Sequence, residues 1–265
     1  MDKYVTKFSG FSYLFAMLVM LHSVNVSAAD KDSLASINTL VSPLINDRMQ
    51  VVDLSHIQKH DMPAASALSR PSQEFFLQLK NGDNYNIESI TYTPHTGTHM
   101  DAPYHVFEDG MSIESIDPTV LIGPATVVRL NVSGNYLITK NDIQDWESAN
   151  APIQEGDAVF LDTAQDKLWE DGSDSYIGDG YPTLATGAAN YFVGKNVRFV
   201  GVEAISPDGV EPNAHKVLLG NGIPVVENLR NLGKIGTSRF YSIGTFPAVE
   251  GATGVWVRLL ALVPE

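Results

Sequence analysis

Thr93-Pro94-His95-Thr96-Gly97-Thr98-His99-Met100-Asp101-Ala102-Pro103-Tyr104-His105 puts three histidines and one carboxylate within eleven residues, at His95, His99, Asp101 and His105. Imidazole nitrogen beside carboxylate oxygen is a donor set suited to Zn²⁺, Mn²⁺ or Fe²⁺. The spacing also constrains the backbone. On a helix His95 and His99 would share a face, but Asp101 would point away from both. In extended chain all four positions are odd, so all four can face one side. Pro94, Gly97 and Pro103 oppose both a regular helix and an uninterrupted central strand. The stretch therefore reads as a strand end running into a tight loop, with its donors converging on one pocket. The plainer alternative is a set of scattered surface histidines. Against it, three of the seven histidines in the chain fall here, and the small residues between the donors let backbone and ion approach closely.

Residues 95–105 match H-x-G-T-H-x-D-x-P-x-H at every fixed position. That pattern resembles the signature of the cyclase-like metal-dependent hydrolases, the family that includes the bacterial kynurenine formamidases and the isatin hydrolases. The resemblance runs from Asp53 to the C-terminus. Asp53-Leu54-Ser55-His56 is similar to the family's opening strand, and Met62-Pro63 to the segment after it. Asn213-Ala214-His215-Lys216 and Val225-Val226-Glu227 resemble its second metal-site half, with His215 and Glu227 twelve residues apart. By themselves a His and a Glu at that spacing are a weak signal, read equally as a helix cap and a solvated carboxylate.

The resemblance implies a swivelling β/β/α fold, a barrel-like mixed sheet with flanking helices. It implies metal ligation by His95, His99, Asp101, His215 and Glu227, and proton transfer by His105. Five donors with two carboxylates exceed what one catalytic ion needs and fit two; one or two divalent ions, Zn²⁺ or Mn²⁺, are expected. The implied reaction is hydrolysis of an amide C–N bond in a small aromatic or cyclic amide, by a homodimer or higher homo-oligomer. Two other classes stay open: a lyase or dehydratase on the same metal site, and a non-catalytic ligand-binding module. The chain also departs from the family. Glu203 stands where the family often has Asp, and Val255-Trp256 stands where it usually has a small residue and proline.

Lys3 and Lys7 precede an apolar run from Phe8 to Leu21, and Val26-Ser27-Ala28-Ala29 offers small residues for cleavage. Residues 1–29 thus read as a secretory signal peptide, so the mature protein is expected to be periplasmic or secreted, with no membrane association after cleavage. The run is short for a membrane span. Residues 30–265 are long enough to bury one core as a single hydrolase domain. The formal charge of the chain is −14. Residues 1–29 carry Asp2, Lys3 and Lys7, a net +1, so the remainder stands at −15. That balance argues against nucleic acid as a partner and leaves a small-molecule substrate. There is no cysteine, which removes disulfides and any thiolate nucleophile or ligand. No G-x-S-x-G motif points to an acyl-serine route.

Elsewhere the chain alternates strand and helix signals, which indicates an α/β domain. Residues 30–50 suggest a short helix and a turn. Val51–His56, Asn86–Thr93, Asp157–Leu161 and Val197–Val202 read as strands. Leu121–Leu130 reads as two short strands broken at Gly123-Pro124, and Thr183–Val193 as a helix. Thr139 with Asp142 forms an approximate capping box for a helix through Trp146. Gly-, Asp- and Ser-rich residues 170–180 read as a loop near the site. Arg239–Val263 reads as two strands joined through Pro247–Gly254. Phe75 and Phe76 are expected to cover the core rather than line a pocket, Trp256 to belong to the core or the substrate pocket, and His56 and His60 to pack or touch substrate.

Overall fold

The computed structural model describes Ser42, residues 49–209 and residues 211–264. The chain divides into two units, Met1–Ile45 and Asn46–Glu265, and the fold below is that of the second. The signal-peptide reading of residues 1–29 and most of the helix-and-turn reading of 30–50 lie outside the described residues.

In chain order the strands are β1 (Met49–Asp53), β2 (Ser72–Leu77), β3 (Ile87–Thr91), β4 (His99–Asp101), β5 (Gly123–Arg129), β6 (Leu137–Ile138) and β7 (Ala158–Asp162). They continue as β8 (Thr183–Leu184), β9 (Phe199–Val202), β10 (Val225–Glu227), β11 (Arg239–Thr245), β12 (Gly254–Trp256) and β13 (Arg258–Pro264). The α-helices among the described residues are α1 (Lys140–Ala149), α2 (Thr186–Gly194) and α3 (Ala214–Gly220).

Nine strands form one mixed sheet, ordered β1-β13-β11-β5-β7-β9-β10-β4-β12. Its middle, β5-β7-β9-β10, is parallel. Parallel neighbours need crossovers, and α1, α2 and α3 supply them. The strands flanking this middle are antiparallel. Apolar residues alternate between two cores with the period of a strand. Ala125, Val127, Phe160 and Phe199 enter one core with Leu54, Met100, Val255 and Leu259. Val128, Val159, Leu161 and Val200 enter the other, under the helices, with Ile143, Phe192 and Leu218.

β12 is one edge of this sheet, yet Val257 alone separates it from β13, next to the opposite edge. A flat sheet cannot satisfy that connection, so the sheet curls, through 248°, into a half-barrel flanked by helices. Cross-links stitch the seam. Ser55 bridges Leu229, Arg230 N donates to Leu54 O, and His56 N donates to Thr98 Oγ1. This is the α/β swivelling architecture that the resemblance implies.

Several elements differ from the sequence reading. Leu121–Leu130 holds a single strand, because pairing with β7 begins only at Ala125 and Pro124 sits ahead of that ladder. Residues 165–178 are not open loop: a 3-10 segment (Gln165–Asp171) and a π turn (Asp174–Gly178) bury Trp169 and Tyr176 against Met62. Thr183 and Leu184 form a short strand against β6, so the helix begins at Thr186. The C-terminal segment yields three strands, because Val257 carries the chain across the seam. Phe75 and Phe76 do not cover the core. They lie on the β2–β3 hairpin, 43% and 66% exposed.

Candidate metal centre

β4 is paired on both sides, by β10 and by β12, with Glu227, His99 and Trp256 in one row across the three strands. Side chains alternate along a strand. Met100, Val226 and Val255 therefore fill the barrel core, while His99, Asp101 and Glu227 turn to the other face. The turn before β4 supplies His95. It needs glycine at Gly97, where φ is +62° and a Cβ would fall inside the Gln58 side chain. A 3-10 turn, Pro103–His105, follows β4 and returns His105 to the same place. The loop thus precedes the strand rather than following it, and the four donors of the opening motif still gather. His215 arrives from the first turn of α3.

Asp101 is the hub. Its Oδ1 lies 2.7 Å from His95 Nδ1 and 3.3 Å from His99 Nε2, and its Oδ2 lies 3.2 Å from His215 Nε2. Glu227 faces it, with Oε2 at 3.3 Å from His99 Nε2 and Oε1 at 3.0 Å from His215 Nε2. His105 lies against His95 with ring centroids 3.9 Å apart and planes tilted by 30°, and meets His215 edge-on at 5.4 Å. Ligating atoms of His99, Asp101 and Glu227 lie within 4.8 Å of one another, as do those of His95, Asp101 and His105.

Hydrogen bonds outside the cluster fix two of the imidazoles. His99 Nδ1 donates to Gly97 O at 2.8 Å, and His215 Nδ1 lies 2.9 Å from Asp208 Oδ2. Both rings turn Nε2 toward the carboxylates. His99 Nε2 and Glu227 Oε1 are buried and close to opposite partners, yet neither is in hydrogen-bonding geometry with a described residue. Donors held near one another without bonding one another suit a cation shared between them.

The electrostatics agree. Burial works against charge on His99, but the Asp101 and Glu227 carboxylates beside it raise it to about 9. His215, equally resisted by burial, is pushed up to about 12 by Asp101, Asp208 and Glu227. Burial also opposes charge on Asp101, yet the surrounding histidines hold its carboxyl well below the ordinary range. Burial and the charge of Asp101 raise Glu227. Two carboxylates thus draw protons onto two imidazoles, and a divalent cation in their midst would take the place of those protons. His105 differs. Burial, with the neighbouring histidines, lowers it to about 4, so its ring is neutral near pH 7.

A family model described as putative cyclase matches residues 52–209. The chain belongs to the cyclase family. His215 and Glu227 lie beyond the matched segment, so their place in the centre rests on geometry. Among curated relatives, kynurenine formamidase of Bacillus mycoides (strain KBAB4) is 27% identical over 68% of this chain and 82% of its own length. Cyclase-like protein 3 of Oryza sativa subsp. japonica is 30% identical over 80% of each chain. Among solved structures, isatin hydrolase A from Labrenzia aggregata, bound to benzyl benzoate, has a TM-score of 0.79 at 27% identity, covering 87% of this chain and all of that one (100%). Family and donor cluster together support a hydrolase-type enzyme with a candidate metal site.

Against the cyclase family, two departures find a physical form. Glu203, the longer acid, reaches from the end of β9 so that its Oε2 accepts the backbone N–H groups of Thr163 (2.9 Å) and Gln165 (3.2 Å). Burial, with Asp166 and Asp162 nearby, pushes this carboxyl up to about 9. Trp256 stacks on Tyr92 at 3.8 Å, and its Nε1 donates to Thr96 O at 2.6 Å, bracing the metal loop. His56 is buried and stacked on Trp169 at 3.9 Å, while His60 Nδ1 meets Pro71 O. The sequence reading gave no role to Asp208 or Asn228. Asn228 takes φ +54° directly after Glu227, holds Gly97 O through its Nδ2 and accepts Thr98 Oγ1 at its carbonyl. Asp208 stands six residues before Ala214, outside the N-cap position, which Asn213 holds, so its place in the sequence carried no signal.

Proposed function

We propose that this protein hydrolyses an amide C–N bond in a small aromatic or cyclic amide, with one or two divalent cations, Zn²⁺ or Mn²⁺, held by His95, His99, Asp101, His215 and Glu227. The observation that carries this reading is the convergence of those five side chains on one buried cluster with His105 at its rim. Bound there, a divalent cation supplies Lewis acidity, bringing a water's pKa to ~7 and polarising a carbonyl oxygen. The residues do the rest. Asp101 and Glu227 bring negative charge to the centre, while Gly97 O and Asp208 keep Nε2 of His99 and His215 turned inward. His105, neutral at working pH, takes a proton from the attacking water at a ring nitrogen and returns it to the leaving nitrogen. The carbonyl carbon gains the hydroxyl, the C–N bond breaks, and the products together exceed the substrate mass by one water.

Trp256 shares the face of the sheet with His99 by register, and it borders a recess of about 310 Å³ with a mixed wall that includes Gln58, Lys59, His60 and Ile90. Such a size suits a small ligand. The relatives named kynurenine formamidase and isatin hydrolase point to aryl formamides and isatin-like rings as substrate classes. We extend the proposal to a single domain over residues 30–265, export after removal of residues 1–29, a homodimer or higher homo-oligomer, and no nucleic-acid partner. Among described residues no helix is long and apolar enough to cross a membrane.

The test is metal content of the purified protein, with hydrolysis of isatin and N-formylkynurenine measured before and after chelation. Bound Zn²⁺ or Mn²⁺ with chelator-sensitive turnover is expected. Products whose summed mass lacks the added water would turn the reading toward a lyase. No metal uptake, even with either ion supplied, would overturn it.

A further inference from the structure

His215 has only one nitrogen to offer the centre. Its Nε2 lies 3.2 Å from Asp101 Oδ2 and 3.0 Å from Glu227 Oε1, and its Nδ1 is committed to Asp208 Oδ2 at 2.9 Å. The other oxygen of the same carboxylate, Oδ1, accepts the backbone N–H of Ala214 at 2.6 Å and of His215 at 3.2 Å. Asn213, directly before α3, makes no capping bond with its side chain. Asp208 is itself tied down, its N–H donating to Ser206 Oγ at 3.1 Å. One carboxylate therefore fixes both the turn that carries His215 and the rotation of its ring.

The other imidazoles are held differently. His99 Nδ1 donates to a neutral backbone carbonyl, Gly97 O. His95 lies between Asp101 Oδ1 and Thr253 Oγ1, with no carboxylate from outside the donor cluster. Only His215, among the three, has an anion behind it. An acceptor at Nδ1 keeps the proton there and the lone pair on Nε2, and an anionic acceptor makes that lone pair a stronger donor.

We infer that Asp208 is a positioning residue of the metal centre, presetting His215 with its proton on Nδ1 and its Nε2 lone pair aimed between Asp101 and Glu227. The inference rests on the metal-centre reading proposed above. It separates cleanly from a helix-capping role, because two substitutions keep the cap and lose the preset. In Asp208→Asn the amide oxygen can accept the helix N–H groups, which turns the amide N–H₂ toward Nδ1. The ring must then place its proton on Nε2, where it blocks an ion, a wrong-tautomer effect. In Asp208→Ser the hydroxyl is too short to reach the ring and is left beside the Ala214 N–H, the nearer of the two helix donors, 2.6 Å from Oδ1 in the wild type.

The test is affinity of the full chain for Zn²⁺ and Mn²⁺, each measured by competition with a chromophoric chelator, alongside the thermal midpoint of the metal-free proteins. Both variants are expected to bind each ion about 10- to 100-fold more weakly, with metal-free midpoints close to wild type. In a His215→Ala background, Asp208→Asn is expected to cause no further loss. Wild-type affinity in both variants, with only the midpoint lowered, would make Asp208 a plain helix cap and overturn the inference. So would an undiminished loss in the His215→Ala background. If the wild-type chain takes up neither ion, the metal-centre reading fails and this one with it, a result distinct from equal affinities among variants.

Discussion

At Gly254 there is no room for a methyl group. A Cβ there would lie 2.7 Å from His95 Cε1 and 3.1 Å from Met100 O. Its φ is not in the left-handed region, so the need for glycine is one of space alone. Gly254→Ala is expected to push His95 aside and to lower metal-dependent turnover by about 100-fold, the order that a displacement of an ångström costs a preorganised site. Unchanged turnover would show that His95 has slack. Within the motif, His99→Ala is expected to lose metal and activity together, and His105→Ala to keep metal and lose turnover. Full activity in both would sink the assignment of roles. At this scale the opening motif was legible because its donors lie on consecutive short segments, where spacing alone says they can meet. His215 and Glu227 needed the resemblance, since a His in a helical turn and a Glu in a strand carry no mutual spacing rule. Asp208 and Asn228 were not legible as site residues, because each acts through another side chain or a carbonyl and leaves no signature of residue type.

Elements were readable where a local interaction decides them. The capping box of α1 is present, with Asp142 N donating to Thr139 Oγ1 at 3.3 Å and Thr139 N donating to Asp142 Oδ2 at 2.7 Å. Removing that side chain, as in Thr139→Ala, is expected to lower unfolding free energy by about 1 kcal/mol. Because α1 packs near β5, three strands along the sheet from the donor strand β10, metal affinity is expected to stay at the wild-type value. A denaturant titration and a metal titration on the same variant check both halves, and a loss of metal affinity would contradict the separation. Where tertiary packing decides, the local reading went astray. Gly172, Ser173 and Asp174 suggest loop, but Trp169 and Tyr176 anchor the segment in a third apolar cluster. Tyr176 OH is bonded to Glu203 O and to Asn228 Oδ1, tying this segment to the ligand strand. Phe75 and Phe76 suggest core by residue type alone, and the hairpin that carries them shows that β propensity does not imply burial.

The half-barrel of residues 46–265 depends on its seam, and the seam has a pH-sensitive member. His56 follows β1, its N–H donates to Thr98 Oγ1 at 2.8 Å, and its ring is pressed against Trp169. Burial, helped by the charge of Arg230, lowers this imidazole from 6.5 to about 3. The folded protein therefore keeps His56 neutral at pH values where the unfolded chain protonates it. Between about 6.5 and 3 the unfolded state binds more protons, so stability falls as the pH falls. At about 1.4 kcal/mol per pH unit the full loss is on the order of 4 kcal/mol by the bottom of that window, and nothing is lost above it. His56→Phe keeps an aromatic ring on Trp169 and removes the titration. Its stability starts lower by what the new ring loses in fit against Trp169, a cost that does not depend on pH. Denaturant midpoints from pH 7.5 to 4 are expected to fall more steeply for wild type than for His56→Phe, the two curves converging as pH drops. Parallel curves would mean that His56 takes up its proton without opening the seam, and that the acid sensitivity of the fold lies elsewhere.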